Sequence, residues 1–381
     1  MKKRIAGCLI GLGMVLGLCL NAAAQEGSAG APVLNGAGPE REIPFEYVDC
    51  IRVYEYAGGF RFFDVTYSGD QYLLVPEDGE VPTELDPSVT VLRSPLDRVY
   101  MAATAIMALV NAAGGLDEVR FSSLTADNWY VEDAAQAMEE GKILFAGKYS
   151  EPDYELLLSE GCDLAVESTM ILHSPKVKEM LENLGIPVFV DYSSYETHPL
   201  ARSEWVKVYG ALLDREEEAE AFFEHQNEVM KELEDFDNTG KTVAFFYMNK
   251  GGTAVVRRSG DSVPVMIELA GGRYVLDGLD EADESKSSSL NMTMEEFYAA
   301  AVDADYLIYN STIDAPIYGV DELIGMNPLF SEFKAVKEGH VWCTDKYLYQ
   351  ATDIIGELIR DFHRMLTDED ASEMTFLRKI S

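Results

Sequence analysis

Residues from which metal centres and disulfide frameworks are built are scarce in this sequence. It contains five histidines and five cysteines among 381 residues, and neither a CxxC nor an HExxH pattern occurs. Cys8 and Cys19 fall within the first twenty residues, whereas Cys50, Cys162 and Cys343 are widely separated. This spacing excludes a local zinc knuckle, and three distant cysteines identify no disulfide pair.

Sequence signatures of catalysis are lacking as well. There is no G-x-S-x-G elbow, no P-loop and no G-x-G-x-x-G after a strand-like segment. These motifs position an activated serine or a nucleotide phosphate, so their absence argues against the enzymes that carry them. We expect a protein that is not an enzyme and that needs no cofactor. An extracellular enzyme or a sensor is the alternative, because a fold alone does not fix function.

Basic residues are few compared with acidic ones. The chain has 30 Lys and Arg against 67 Asp and Glu, which gives a formal net charge of −37 at pH 7. So acidic a surface stays soluble and repels nucleic acid and anionic membranes. Nucleic acid is therefore not an expected partner, and an anionic ligand would need a local basic pocket.

Long apolar runs are also rare, and the one that stands out lies at the N-terminus. The basic start Met1-Lys2-Lys3-Arg4 precedes an uncharged stretch over residues 5–20, and small residues follow at 22–24. The stretch is shorter than the roughly 20 apolar residues that span a bilayer comfortably, and this order of segments is typical of a secretory signal. We expect residues 1–24 to direct export; an uncleaved N-terminal anchor is the alternative.

A lipid anchor is another interpretation of the same segment. Leu16-Gly17-Leu18-Cys19 resembles a lipoprotein signal, in which the cysteine is lipidated. Leu18 departs from that pattern, because a small residue normally precedes the cysteine. The expected location is outside the cytoplasm, either periplasmic or at the extracellular membrane surface.

Composition divides the rest of the chain into a linker and two lobes. Residues 25–44 are rich in Gly, Ala, Pro and Ser and predict a flexible linker. Residues 47–75 read as strands around a glycine turn and predict a small antiparallel sheet. From Val89 onward, strand-like and helix-like segments alternate, which predicts α/β lobes over 45–213 and 238–381. The length also favours two domains over one.

A long helix is predicted between the lobes. Apolar residues recur at helical spacing from Trp205 to Leu212 and again from Ala219 to Leu233, and Asp214 with Glu217 suggests an N-cap. Residues 214–237 are thus expected to form a bridging helix, about 30 Å long at 1.5 Å per residue. The predicted fold is α/β, with two Rossmann-like lobes joined by a single long α-helix and a ligand cleft between the lobes.

Five segments share their order and spacing with a known family. They are Val89 to Pro95 followed by a predicted helix over 97–113, Pro152 to Val166, Leu184 to Val188, Val265 to Gly272, and Met294 to Ile308. Together they resemble the substrate-binding proteins of ABC importers for iron–siderophore, haem and cobalamin, over about residues 45–366. The resemblance implies a monomer that captures a metal chelate (siderophore, haem or corrinoid) and delivers it to a membrane permease.

The resemblance also implies a pair of docking residues. Glu155 and Glu295 match two glutamates of that family, one on each lobe, which pair with arginines of the permease. Glu296 is an alternative to Glu295. A solvated surface charge is the ordinary interpretation of a single such residue, so the match is what distinguishes them.

Candidate ligand-binding residues follow the predicted strands, because ligands of open α/β sheets lie beyond the carboxyl ends of strands. Aromatic side chains in such loops can form the walls of a pocket, although ordinary packing is the alternative for each. The candidates are Ser94, Trp129, Tyr130, Glu167, Met170, Tyr195, Arg202, Tyr247, Arg257, Asn310 and Tyr347.

Two of these candidates are arginines in a very acidic chain. Arg202 and Arg257 could each hold a carboxylate or phosphate through two parallel hydrogen bonds. The alternative is a salt bridge to Glu204 or to another neighbouring acid.

A receptor for bare zinc, manganese or iron is the rival interpretation. Met170 with His173, and Glu196 with His198, could together supply soft and hard ligands. No local ligand motif accompanies them, so we predict no metal site, with His173 and His198 as the candidates if one exists.

Overall fold

The structure is a computed structural model, and it describes residues 30–233, 236–278, 288–312, 316–344 and 346–381. The expected signal segment over residues 1–24, including Cys19, lies outside the described residues. Among the helices of the described ranges, none is long and apolar enough to cross a membrane.

Five strands near the start of the described chain form one sheet. They pair in the order β1-β2-β3-β4-β5, antiparallel except for the parallel pair β4 and β5. Because successive side chains of a strand point to opposite faces, Val53 and Phe63 pack into the first-lobe core while Tyr54 and Phe62 form a separate outer cluster. The strands are β1 (Arg41–Glu42), β2 (Arg52–Tyr56), β3 (Phe60–Asp64), β4 (Gln71–Val75) and β5 (Thr90–Arg93).

Residues 31–44 follow an ordered path, whereas the sequence predicted a flexible linker over residues 25–44. Leu34 is only 3% exposed and packs into the outer cluster, and the Tyr56 hydroxyl donates a hydrogen bond of 2.7 Å to the Pro32 carbonyl. Burying Leu34 there removes apolar surface from water, which favours an ordered path for this segment. Its small residues and prolines hide this packing, because the same composition is typical of linkers.

The first lobe is built on a parallel sheet of five strands. Their order is β12-β11-β6-β7-β8, while β9 and β10 pair in a short hairpin. This order is that of a doubly wound sheet, with its switch point between β6 and β11. The strands are β6 (Val99–Met101), β7 (Val119–Ser122), β8 (Leu144–Phe145), β9 (Gly147–Lys148), β10 (Glu151–Pro152), β11 (Leu164–Ser168) and β12 (Val188–Asp191).

Six helices accompany this sheet within the described residues. The alternation of strands and helices that the sequence predicts after residue 140 is confirmed. The helices are α1 (Ile106–Ala112), α2 (Glu132–Glu139), α3 (Tyr154–Ser159), α4 (Pro175–Asn183), α5 (Pro199–Glu204) and α6 (Val206–Leu213).

The start of the first lobe differs from the sequence prediction. Its first strand is Val99–Met101, whereas Thr90–Arg93 belongs to the N-terminal sheet, and the helix expected over 97–113 begins only at Ile106. A short strand in the middle of a parallel sheet is apolar on both faces, so it looks like the first turn of a buried helix. Ser94 therefore follows a strand of a different sheet.

One helix belongs to the cores of both lobes. α7 (Glu216–Leu233) has 18 residues, which corresponds to about 27 Å. Phe223 packs into the first core, whereas Met230 and Leu233 pack into the second. The helix is shorter than the predicted 214–237, because Asp214 adopts a left-handed conformation (φ +58°) and ends α6; residues 234–235 lie outside the described part.

The second lobe has a mixed sheet. The strand order is β16-β14-β13-β17-β18-β19, with β15 also pairing β13; β13, β17 and β18 are parallel to one another. Its elements are β13 (Thr242–Met248), β14 (Ala254–Arg257), α8 (Ser262–Leu269), β15 (Arg273–Tyr274), β16 (Ser289–Met292), α9 (Met294–Ala301), β17 (Tyr306–Tyr309), α10 (Val320–Met326), α11 (Lys334–Glu338), β18 (Val341–Thr344), α12 (Ile355–Leu366) and β19 (Leu377–Ile380).

Candidate functional site

A cavity of about 630 Å³ lies between the two lobes. Each of the five strands of the parallel sheet contributes residues at or beyond its carboxyl end to the wall, as expected for a doubly wound sheet. The second lobe contributes residues of α8, of α12 and of the chain between β18 and α12. Representative lining residues of the first lobe are Thr104, Ser123, Lys148, Ser168, Ser194 and Arg202.

Arg202 lies on α5 and lines this cavity. Its Nη2 donates a hydrogen bond of 3.0 Å to the Ser194 carbonyl, while its buried Nε has no hydrogen-bond partner. Burial lowers the pKa of the guanidinium, although an arginine stays charged at neutral pH. The expected alternative, a salt bridge to Glu204, does not form. Glu204 accepts hydrogen bonds from the backbone N–H groups of Glu46, Tyr47 and Val48.

Arg257 and Asn310 contact a cavity residue rather than lining the cavity themselves. The Arg257 guanidinium lies 5.4 Å from the centroid of the Tyr349 ring, and Asn310 donates a hydrogen bond of 3.4 Å to the Tyr349 hydroxyl. Arg257 is also 3.7 Å from the Asp261 carboxylate, the salt-bridge alternative foreseen for it. Tyr349 lines the cavity, so these two residues hold its ring from the second-lobe side.

The sequence pointed to Tyr347 as a cavity residue, whereas it did not select Tyr349 in the same segment, which lines the cavity. Both tyrosines fall in the turn Lys346–Tyr349 after β18, and strand position alone does not say which one faces the cavity. The side chain of Tyr347 lies outside the described part of the chain.

The remaining candidates are spread around the first lobe and the second sheet. Met170 lines the cavity and is half exposed. Ser94 follows β5 of the N-terminal sheet, and its hydroxyl donates a hydrogen bond of 3.3 Å to the Asp214 carboxylate. Trp129 is buried and donates to the Ser122 hydroxyl at 2.9 Å. Tyr195 is exposed in a cluster with Tyr67 and Tyr192, and Tyr247 is a half-buried residue of β13 packed against the second core.

Glu167 is fully buried on β11, directly before the cavity residue Ser168. Neither of its carboxylate oxygens has a hydrogen-bond partner. Burial raises the pKa of this carboxyl group to about 8, because the charged form would lose its hydration without compensation. At neutral pH the group is therefore mostly protonated and neutral.

Hydrogen bonds connect the two lobes beside the cavity. The Gln350 side chain accepts from the Tyr130 backbone N–H and donates to the Asn128 carbonyl, both at 2.9 Å. Two residues further along the chain, the Thr352 hydroxyl donates to the Ala105 carbonyl, and the Thr352 carbonyl accepts from the Ser203 hydroxyl. Residues 348–352, which we call the strap, thus reach from the second lobe to the first.

The residues considered for a bare-metal site have other partners. His198 accepts a hydrogen bond from the Leu200 N–H through Nδ1 and stacks on Tyr47 with ring centroids 4.3 Å apart. The buried Glu196 accepts from the Cys50 N–H and from the Trp205 indole N–H, and His173 is exposed at the surface. In the described ranges, no group of three or more His, Cys, Asp and Glu side chains is placed to hold a metal ion.

Glu155 and Glu295 occupy equivalent positions on two helices. Each is exposed and is the second residue of its helix, α3 in the first lobe and α9 in the second. Asp153 and Thr293 cap the two helices. Glu296 accepts hydrogen bonds from Thr293 in a capping box, so its carboxylate already has a structural partner.

Sequence comparison gives relatives over most of the chain. The sequence model of the periplasmic binding protein family matches residues 111–348. An uncharacterized lipoprotein of Methanocaldococcus jannaschii is 27% identical over 328 residues, which cover 81% of this chain and 74% of that protein.

Solved structures share the fold at low sequence identity. The periplasmic haem-binding protein of Vibrio cholerae aligns with a TM-score of 0.56 and 17% identity, covering 71% of this chain and 97% of that one. A protein of an ABC-type Fe³⁺-hydroxamate transport system from Saccharomonospora viridis aligns with a TM-score of 0.54 and 20% identity, covering 71% and 93%. These likenesses confirm the two-lobed α/β fold. Because the family match spans more than half of the sequence, the chain belongs to the periplasmic binding protein family.

Proposed function

We propose that this protein is the extracytoplasmic receptor of an ABC importer. It captures a metal chelate (a siderophore, haem or a corrinoid) in the cavity between its lobes and delivers it to a membrane permease, without chemistry on the ligand. The observation that carries the proposal is this cavity, lined from the carboxyl ends of all five first-lobe strands and from the second lobe. The haem-binding and Fe³⁺-hydroxamate transport proteins that share the fold support the ligand class.

The shared helix sets the kind of motion that accompanies capture. Because α7 packs into both cores, the lobes change their relative position only modestly around it. The ligand enters beside the strap, the contacts of Gln350 and Thr352 form across the cavity, and the closed receptor meets the permease. Opening of the permease, driven by ATP, releases the ligand.

Export places the receptor where its permease can be reached. The N-terminal segment directs export, and lipidation of Cys19, with cleavage just before it, keeps the protein at the membrane surface. The related archaeal protein is named a lipoprotein, which supports this anchor. Mass spectrometry of the intact mature protein tests it, since a diacylglyceryl group on Cys19 and cleavage after Ala24 give different masses.

Docking on the permease uses Glu155 and Glu295. Their matching places on exposed helix starts, one per lobe, give two carboxylates that can pair with two permease arginines. The Glu155→Ala, Glu295→Ala double variant should bind its chelate with unchanged affinity and lose most uptake in a transport assay. A Glu179→Ala, Asp321→Ala variant is the control, because it removes the same charge from exposed positions on both lobes. Normal uptake by the first double variant would refute the docking role.

The ligand itself is open to direct identification. The protein purified from its native source should retain part of its cargo, which absorbance and native mass spectrometry would detect. A retained metal complex in equimolar amount would support the receptor function. A bound molecule that is chemically converted during incubation would overturn it.

A further inference from the structure

We propose that the cavity selects an amphipathic anion, a ligand with acidic groups at one end and an apolar body at the other. This inference rests on the proposed receptor function and narrows its ligand. It follows from a difference between the two walls of the cavity.

The first-lobe wall is the more polar of the two, although Ala102, Ala105, Leu124 and Met170 also line it. It carries both cations that line the cavity in the described residues, Lys148 and Arg202. It also carries most of the hydroxyl groups, those of Thr104, Ser123, Ser168, Thr169, Ser193 and Ser194. Such a wall offers charge-assisted and neutral hydrogen bonds to carboxylate, phosphate or sulfonate oxygens.

The charge of this wall is opposite to that of the protein. The chain has a net charge of −37, yet no Asp or Glu belongs to the cavity lining in the part that the structure describes. Asp261, Asp353 and Glu357 each adjoin a second-lobe lining residue in sequence. The Asp261 carboxylate caps α8 at Val263 and lies 3.7 Å from Arg257, and Glu357 pairs with Arg360 at 2.9 Å. Burial raises the pKa of Asp353 to about 6.

Arg202 lacks a carboxylate partner of its own. Its Nη2 hydrogen bond goes to a backbone carbonyl, and its buried Nε has no acceptor. A buried cation costs free energy unless an anion or hydrogen-bond acceptors compensate it. An acidic group of a ligand at this position would supply both the charge and the missing acceptor.

The second-lobe wall is mainly aliphatic. Its side chains come from α8, the strap and α12. Six of them are apolar, Val263, Met266, Leu348, Ala351, Ile355 and Leu358, and three carry a hydroxyl group, Ser262, Tyr349 and Thr352. Contact with an apolar ligand body removes this surface from water, which favours binding by roughly 25 cal/mol per Å². A ligand that is hydrophilic all round would leave this wall without a matching surface.

Three probes separate charge from apolar surface. Protoporphyrin carries two carboxylates on an apolar ring, its dimethyl ester lacks only the charges, and ferric citrate has charge without an apolar body. In fluorescence titrations or by calorimetry, protoporphyrin should bind at least tenfold more tightly than either of the other two. 8-Anilinonaphthalene-1-sulfonate, a smaller amphipathic anion, should bind in competition with it.

Charge-neutral variants test whether the two cations of the first-lobe wall cause the tighter binding of protoporphyrin. Arg202→Gln and Lys148→Gln should each weaken protoporphyrin binding roughly tenfold or more, as expected for a lost charged hydrogen bond, and leave the ester unaffected. Retained ester binding shows that the cavity is still folded. Arg98→Gln and Lys142→Gln, at side chains that are 54% and 67% exposed, are the matched controls and should change neither affinity.

Several results would overturn the inference. They are equal affinity for protoporphyrin and its ester, tighter binding of ferric citrate, unchanged binding in both cavity variants, and no saturable binding of either amphipathic anion. The receptor function is tested separately by uptake. Transport of a neutral chelate would support the receptor function and overturn this inference. Binding of the amphipathic anion without any uptake would support this inference and overturn the receptor function.

Discussion

Glu167 is a residue whose place in the sheet conflicts with its chemistry. It occupies a fully buried position of β11, and both of its oxygens lack hydrogen-bond partners. Its folded-state pKa of about 8 lies far above the value of about 4.3 expected in the unfolded chain. Between these pH values the folded state keeps a proton that the unfolded state releases, so stability falls as the pH rises, by about 1.4 kcal/mol per pH unit.

Replacing Glu167 with glutamine removes this titration and keeps the shape. We expect Glu167→Gln to be more stable than the parent at pH 7.5, with the difference shrinking towards pH 5, in urea unfolding followed by circular dichroism. Glu179→Gln, at an exposed position of α4, is the control and should follow the parent at every pH. A constant difference between Glu167→Gln and the parent from pH 5 to 8 would contradict the assignment.

For single residues, the sequence predicted which types of side chain line the cavity better than which positions they occupy. Arg202 and Met170 were selected because they follow predicted strands, and both line the cavity. Tyr349 and Gln350 were not selected, because nothing local distinguishes them from Tyr347. Which side chain of a turn faces a cavity depends on backbone geometry set by the other lobe, and that information is not local.

The strap is the element that joins the lobes beside the cavity. Gln350 makes two hydrogen bonds to the first-lobe backbone, at Asn128 and Tyr130. Gln350→Ala removes both, and since each is worth about 0.5–1.5 kcal/mol, we expect the bound ligand to dissociate roughly fivefold faster or more. Stopped-flow absorbance of the release measures this rate.

A control variant separates the strap from general effects of losing a glutamine. Gln136→Ala, on α2, removes a glutamine whose side chain donates a hydrogen bond locally, to Glu140 at the end of the same helix. It should leave the release rate unchanged. If the two variants release the ligand equally fast, the contacts of Gln350 do not hold the lobes together.

Among the elements, those with clear periodicity were predicted almost to the residue. α7 (Glu216–Leu233) begins two residues after the start of the helix that was predicted over 214–237. The elements that were missed are short. β6 has three residues, all apolar, and a run of that length has no period to measure.

For the whole molecule, the excess of acidic residues has a measurable effect. Like charges repel one another across the folded surface, and salt screens this repulsion over about 10 Å at 0.1 M. Raising NaCl from 10 to 300 mM at pH 7 should therefore raise the Tm. Differential scanning calorimetry at both concentrations measures the shift.

The same measurement near the isoelectric point provides the control. The sequence pI is about 4.3, where the net charge is close to zero and screening has little repulsion to remove. The shift in Tm should therefore be much smaller at pH 4.5 than at pH 7. An equal shift at both pH values would assign the effect to salt acting on the solvent rather than on the charges.

The architecture was predictable at this scale because it rests on long-range alternation. Strand–helix repeats on either side of one long amphipathic helix predicted lobe, helix and lobe, and the two-lobed α/β fold is confirmed, with residues of α7 packed into both cores. The N-terminal sheet was only partly predictable. Its hairpin residues are recognisable as strands in the sequence, but the burial of Leu34 depends on aromatic side chains that are twenty or more residues away.

The distribution of the three tryptophans makes the lobe arrangement optically visible. All three are almost fully buried, Trp129 and Trp205 in the first core and Trp342 on β18 in the second, but Trp129 stands between Asn128 and Tyr130, the two residues that Gln350 contacts. Separation of the lobes would remove the Gln350 contacts on either side of Trp129 and leave the surroundings of the other two indoles unchanged. A protein with Trp205→Phe and Trp342→Phe would then report capture and release through its own emission, without an attached dye.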